Sequence, residues 1–211
     1  MSTSVKKDIA CPQCGESENM TLYTGINCVD NPDLKKKILE ESLFDYRCPR
    51  CGYGAQRTYP LVYHDPDRGY MIALYRLGSK RNKVESNDKI AELTKRRVKS
   101  LKELKEKIKI FDAGLDDIAV ELVKNALSNI IAKNYGGGKV RCYFSRKCED
   151  DSLEFAIYLA GKTEPIYHAT KPEVYEQSAE VLRALNYTEP NEFLRVGSTL
   201  AREILDSYKS I

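Results

Sequence analysis

The pattern Cys-Pro-x-Cys-Gly occurs twice, as Cys11-Pro12-Gln13-Cys14-Gly15 and as Cys48-Pro49-Arg50-Cys51-Gly52. Each copy sets two thiols three positions apart on a tight turn. The glycine after the second cysteine permits a left-handed backbone, which turns amide N–H groups toward sulfur. The proline holds one backbone angle and removes a donor that would otherwise lack a partner. Two such turns facing each other make a tetrahedral four-sulfur site, which suits Zn2+, with Cys11, Cys14, Cys48 and Cys51 as ligands. Iron in a rubredoxin-like site satisfies the same ligand set.

Three other chemistries use closely spaced cysteines. A redox dithiol needs a helix directly after the motif, whereas Gly15-Glu16-Ser17 and Gly52-Tyr53-Gly54 are turn sequences. Disulfides need an oxidising compartment, and the first residues, Met1 to Asp8, carry no apolar signal core. Zinc-dependent deamination needs an H-x-E element, but His64 is followed by Asp65-Pro66 and His168 by Ala169-Thr170. The expected site is therefore closed and structural, and the expected location is cytoplasmic. No apolar run approaches the roughly 18 residues of a membrane span.

Thirty-three residues separate the two motifs, more than the usual ribbon spacing of about 15–20. Met20–Val29 reads as a strand and Asp30-Asn31-Pro32-Asp33 as a helix start. Leu43–Arg47 returns as a strand, Arg57–Tyr63 leaves as another, and Tyr70–Tyr75 closes a hairpin across the Asp65–Gly69 turn. The fold class is α+β: a zinc-ribbon-like antiparallel β domain with a short inserted helix over 9–77, a polar linker over 78–88, and a second α+β domain over 89–211. The second domain reads as a helical hairpin over 89–133, antiparallel strands over 139–170 and C-terminal helices over 171–209. Thr170-x-x-Glu173 has the form of a capping box opening the first of those helices.

Charge is uneven. Residues 1–77 are neutral overall, 78–110 carry +7 and 111–211 carry −4. The basic segment, with Lys95, Arg96, Arg97, Lys99 and Lys102 on a predicted helix over 95–109, is the candidate nucleic-acid contact. The alternative is the solvated face of an amphipathic helix, with Glu103 and Glu106 pairing along it. Leu115 to Ile131 form an apolar helix face wider than one partner helix covers, which points to a sheet, a second subunit or a protein partner. His64-Asp65 is the one pair suggestive of general-base chemistry. Adjacent strand residues point to opposite faces, however, and Asp65 before Pro66 also fits a turn role. Cys142 and Cys148 share strand parity and are expected to be small buried hydrophobes.

The order CPQCG, LKKKILEESLFDYRCPRCGY, YPLVYHD and YMIALY resembles the CpXC family of bacterial and archaeal proteins over residues 9–77. Ile108–Asp117 resembles the helical segment found beyond the metal domain in longer members. The resemblance implies Cys11, Cys14, Cys48 and Cys51 as ligands and a Tyr63-His64-Asp65 signature with no assigned role. It implies no activity. The first functional reading is thus a zinc-stabilised, non-enzymatic binding or scaffold protein. The alternatives are nucleic-acid association through 95–109 and an enzyme centred on His64.

Overall fold

The computed structural model describes residues 1–75, 92–135 and 138–211. It divides into two compact units, residues 1–105 with 191–193, and residues 106–190 with 194–211. The expected linker 78–88 lies outside the described residues. The architecture is α+β, and among the described residues it holds ten strands and five α-helices.

The first unit is built on a five-stranded sheet in the order β1-β2-β5-β6-β7. β1 (Thr3–Ala10) and β2 (Ser17–Asn27) form a long antiparallel hairpin. Helix α1 (Pro32–Leu39) comes next, with Pro32 in its first turn and Leu34 and Ile38 buried. A 3-10 turn over Ser42–Phe44 leads to the small hairpin of β3 (Asp45–Arg47) and β4 (Gly54–Gln56). β5 (Leu61–Asp65) and β6 (Tyr70–Leu74) then pair antiparallel across the tight Asp65–Gly69 turn, where Gly69 adopts φ 69°.

The sheet is mixed rather than purely antiparallel. β2 runs parallel to β5, and β6 runs parallel to β7 (Thr94–Val98). This last strand corrects the helical reading of the segment. The chain docks on the open edge of β6 and places Val98 (3% exposed) level with Leu74, so sheet pairing overrides the charge-rich helical pattern. The helix begins at Leu101 instead, as α2 (Leu101–Asp112). Ser100-x-x-Glu103 starts it: the Glu103 amide donates to Ser100 Oγ at 3.2 Å, and the Glu103 carboxylate accepts from the Lys99 amide at 2.8 Å. This capping-box signal was present in the sequence.

Register sets Ile26, Tyr63, Ile72 and Arg96 in one row across four strands. All four are at most 2% exposed, so an arginine completes a core row. α1 lies over this same face, since its Lys35 Nζ reaches Asp65 Oδ2 at 3.7 Å.

In the second unit, Gly114 (φ 69°) ends α2, and α3 (Asp117–Asn134) begins three residues later. Asp116 caps α3, its Oδ1 accepting from the amides of Ile118 at 2.7 Å and Ala119 at 3.1 Å. β8 (Val140–Lys147), β9 (Leu153–Leu159) and β10 (Ile166–Thr170) form an antiparallel sheet in the order β10-β9-β8. α4 (Pro172–Ala184) and α5 (Ser198–Tyr208) complete the unit. The capping box expected at Thr170 does not form: Lys171 is the N-cap, and the Thr170 hydroxyl donates to the Leu153 carbonyl at 3.4 Å.

α3 is packed on two sides. Val120, Val123, Leu127 and Ile131 meet Cys142, Phe144, Phe155 and Ile157 of the sheet. Ile118, Ala119 and Leu122 meet Leu182, Ala201 and Ile204 of α4 and α5. Of the partners expected for the 115–131 stripe, the structure supplies a sheet together with α4 and α5. The width of the stripe reflects two intramolecular partners, and Ile130 (57% exposed) lies outside them.

Candidate metal centre

Each cysteine motif is the turn of a hairpin. Cys11–Gly15 joins β1 to β2, and Cys48–Gly52 joins β3 to β4. The two turns carry the same backbone bonds. The Cys11 amide donates to Glu16 O at 2.7 Å and the Gly15 amide to Cys11 O at 3.0 Å. The Cys48 amide donates to Tyr53 O at 2.8 Å and the Gly52 amide to Cys48 O at 3.0 Å. Gly15 and Gly52 adopt φ 73° and 72°, the left-handed region that favours glycine.

The hairpins bring four sulfurs together. Cys11 Sγ lies 3.7 Å from Cys51 Sγ, and Cys14 Sγ lies 3.6 Å from Cys48 Sγ. All four lie within 4.8 Å of one another. A tetrahedron with metal–sulfur bonds of about 2.3 Å has edges of about 3.8 Å, so the cluster has the size to hold one ion. The separations far exceed a disulfide bond of about 2.05 Å, and the cysteines are free thiols.

The turns also prepare individual sulfurs for ionisation. The Cys51 and Arg50 amides, against burial, pull Cys48 down to about 6. Burial opposes ionisation of Cys11, but the Cys14 and Gln13 amides prevail and lower it. Cys14 receives the Glu16 amide, yet burial and the other three thiols push it up to about 12. Four adjacent thiolates repel one another, and a dication is the charge that permits all four to ionise together.

Behind the sulfurs sits Tyr46, 2% exposed, in a small cluster with Cys11 and Cys48. Burial, followed by Cys48, pushes its phenol up to about 12. Its hydroxyl has no hydrogen-bond partner among the described residues, so thiolates at Cys48 and Cys11 would provide an acceptor. The Arg57 guanidinium lies 4.4 Å from the Tyr46 ring centroid and donates to the Ala10 carbonyl at 3.3 Å. The sequence reading missed this pair. Tyr46 precedes the second motif by two residues, which places it on the β3 face that supports the turn.

A family model described as CpXC protein matches residues 9–124, more than half of the chain. The chain belongs to the CpXC family. The match extends past residue 77, where the resemblance in the sequence was specific, and takes in β7, α2 and the first part of α3. No curated protein and no solved structure matches the chain significantly.

The CpXC match includes His64 and Asp65, which the structure separates. They lie on opposite faces of β5. Asp65 is 1% exposed, accepts from the Arg68 amide at 3.1 Å, and lies 3.5 Å from the Arg68 guanidinium and 3.7 Å from Lys35. It holds the β5–β6 turn and does not orient the imidazole. Burial lowers the pKa of His64, with Asp65 opposing, and His64 Nε2 has no hydrogen-bond partner among the described residues.

The basic residues within the CpXC match do not form one exposed face. Lys95 is buried and bonds to Asn191. Arg96 is buried in the core row, where it donates to the Lys95 carbonyl at 3.1 Å. Arg97, Lys99 and Lys102 are exposed, the first two on or beside β7 and the third on α2. The expected footprint on one helix is thereby corrected: a strand sends successive side chains to opposite faces.

Proposed function

We propose that Cys11, Cys14, Cys48 and Cys51 hold one zinc ion as a closed structural centre, and that the protein is a metal-clipped, non-enzymatic binding or scaffold module. The observation that carries this reading is the four-sulfur cluster, whose 3.6 and 3.7 Å edges fit a tetrahedral metal–thiolate site. With four sulfur ligands the ion has no position left for water or substrate, so it serves folding rather than chemistry. We place the protein in a reducing compartment such as the cytoplasm, where the four ligand sulfurs stay available to the metal.

Elemental analysis of protein purified without added metal tests the assignment. One zinc per chain is the expected result. One iron per chain, with the visible absorption of a ferric tetrathiolate, would replace zinc by iron and retain the structural role. A fully folded protein with no bound metal would overturn the reading.

A further inference from the structure

Helix α3 covers one face of the β8–β9–β10 sheet, and the other face is accessible. Tyr167 is 63% exposed, Arg141 and Ala169 are exposed, and Tyr143, Ala156 and Tyr158 are half-buried. Register places Tyr143, Ala156 and Tyr167 in one row across the three strands, with Arg141 opposite Tyr158 in the neighbouring row. Adjacent strands lie about 4.8 Å apart. The Tyr143 and Tyr167 backbones therefore stand about 10 Å apart, with only the methyl group of Ala156 between them. Lys124 Nζ of α3 lies 5.9 Å from the Tyr143 ring centroid, so that ring is engaged on one side, while Tyr167 stands open to solvent. The Tyr143 and Tyr158 ring centroids are 5.9 Å apart at 84°, so the aromatic surface continues toward Arg141.

Charge is segregated along this sheet. Lys139, Arg141 and Lys162 gather at the end where β8 begins and β9 turns into β10, and the connecting loop 160–165 carries one acidic residue, Glu164. None of the three cations has an ion pair among the described residues. Arg146, by contrast, is held in a bidentate pair with Glu154 at 3.1 Å, and the acidic turn 149–151 lies at the opposite end.

We propose that this sheet face binds single-stranded nucleic acid, with bases stacking on Tyr143, Tyr158 and Tyr167 and phosphates passing Lys139, Arg141 and Lys162. Stacking on tyrosine accepts any base, because every base has a π face, and flanking cations supply the backbone attraction. A duplex hides its base faces in its own stack, so single strands are the form that fits. A second copy of the chain is the competing occupant, since a two-fold across the strands would set this basic end against the acidic 149–151 turn, and sedimentation decides between the two. This inference goes beyond the metal reading and uses residues of the other unit.

The test is fluorescence anisotropy of the full, metal-loaded chain with labelled single-stranded RNA, single-stranded DNA of the same mixed sequence, and the corresponding duplex. Expected is salt-sensitive binding of single strands in preference to duplex. Tighter binding of RNA would assign a contact to the 2′-hydroxyl, and equal binding would assign recognition to stacking and phosphate alone. Tyr167→Ala should weaken binding by about tenfold. Arg141→Gln should flatten the plot of log affinity against log salt by about 0.7. Lys6→Gln, on β1, should change neither. Lys162→Gln, in a loop, reads the same surface if Tyr167→Ala proves unstable. Metal content is measured in the same samples, so failure of the metal reading and failure of this one are separately visible. No binding of either single strand, equal binding of duplex, or unchanged binding by Tyr167→Ala and Arg141→Gln would overturn the proposal. So would sedimentation showing that Tyr167→Ala dissolves a self-associated form.

Discussion

Removal of the metal should melt the two cysteine turns and leave the remainder of the first unit's sheet in place. The β3–β4 hairpin shows why. Ordering the twelve residues from Asp45 to Gln56 costs roughly 12 kcal/mol at about 1 kcal/mol per residue. Tyr46 is the one large side chain buried by this hairpin. Burying about 200 Å² of it returns about 5 kcal/mol at about 25 cal/mol per Å². The deficit of about 7 kcal/mol is smaller than the roughly 10–16 kcal/mol that a structural zinc site supplies, so metal binding covers it. The row of Ile26, Tyr63 and Ile72, all at most 1% exposed, has no such dependence. Hydrogen exchange read by mass spectrometry, with and without a strong chelator, checks this. The amides of Cys11, Gly15, Cys48 and Gly52 should lose protection on chelation, while those of β5 and β6 keep theirs. Protected turn amides in demonstrably metal-free protein would refute the reasoning.

Other parts of the structure lead to three more expected outcomes. Lys124 Nζ lies 2.9 Å from Glu106 and 2.7 Å from Glu121, all three nearly buried. Lys124→Met strands two carboxylates and should cost about 3–5 kcal/mol in urea unfolding at neutral pH; a loss below about 1 kcal/mol would show the triad to be dispensable. Burial opposes the charge on Lys124, but Glu106 and Glu121 outweigh it and raise its pKa. Its contribution is therefore complete below the ordinary lysine pKa and is lost only as pH rises through the higher folded value, which alkaline unfolding curves of the two proteins would reveal. Burial pushes Cys142 up to about 12, so iodoacetamide at mildly alkaline pH should label half-buried Cys148 and spare Cys142 until the protein unfolds; peptide mapping that finds Cys142 labelled in native protein would contradict its burial. Asp65→Ala should destabilise by about 1–3 kcal/mol through loss of the Arg68 amide acceptor and its two cations, and His64→Ala should cost less; the reverse order in urea titrations would return functional weight to the imidazole.

The hairpin strands of the second unit were legible because alternation survives where one sheet face is buried: Leu153, Phe155 and Ile157 point inward and Glu154, Ala156 and Tyr158 outward. The wide apolar stripe of α3 was legible as well, but not its partners, since periodicity reports that a face is buried without naming what buries it. β7 was hidden for a different reason. Its Lys95-Arg96-Arg97 core has the composition of an exposed helix, and only the free edge of β6 makes a strand of it. The charge pattern located basic residues correctly but said nothing of their depth, which depends on strand pairing between β6 and β7.

The form of the two cysteine turns is the part that local sequence determined. Cysteine spacing, proline and a left-handed glycine act within each short motif and set the turn's shape, whereas bringing the two hairpins together to gather four sulfurs is tertiary. Tertiary structure decided what local pattern could not: that Arg96 completes a core row, that His64 and Asp65 part company across β5, and that three tyrosines from three strands share one face. Each of those depends on strand pairing between separate segments, where register and edge availability outweigh the preference of any single stretch.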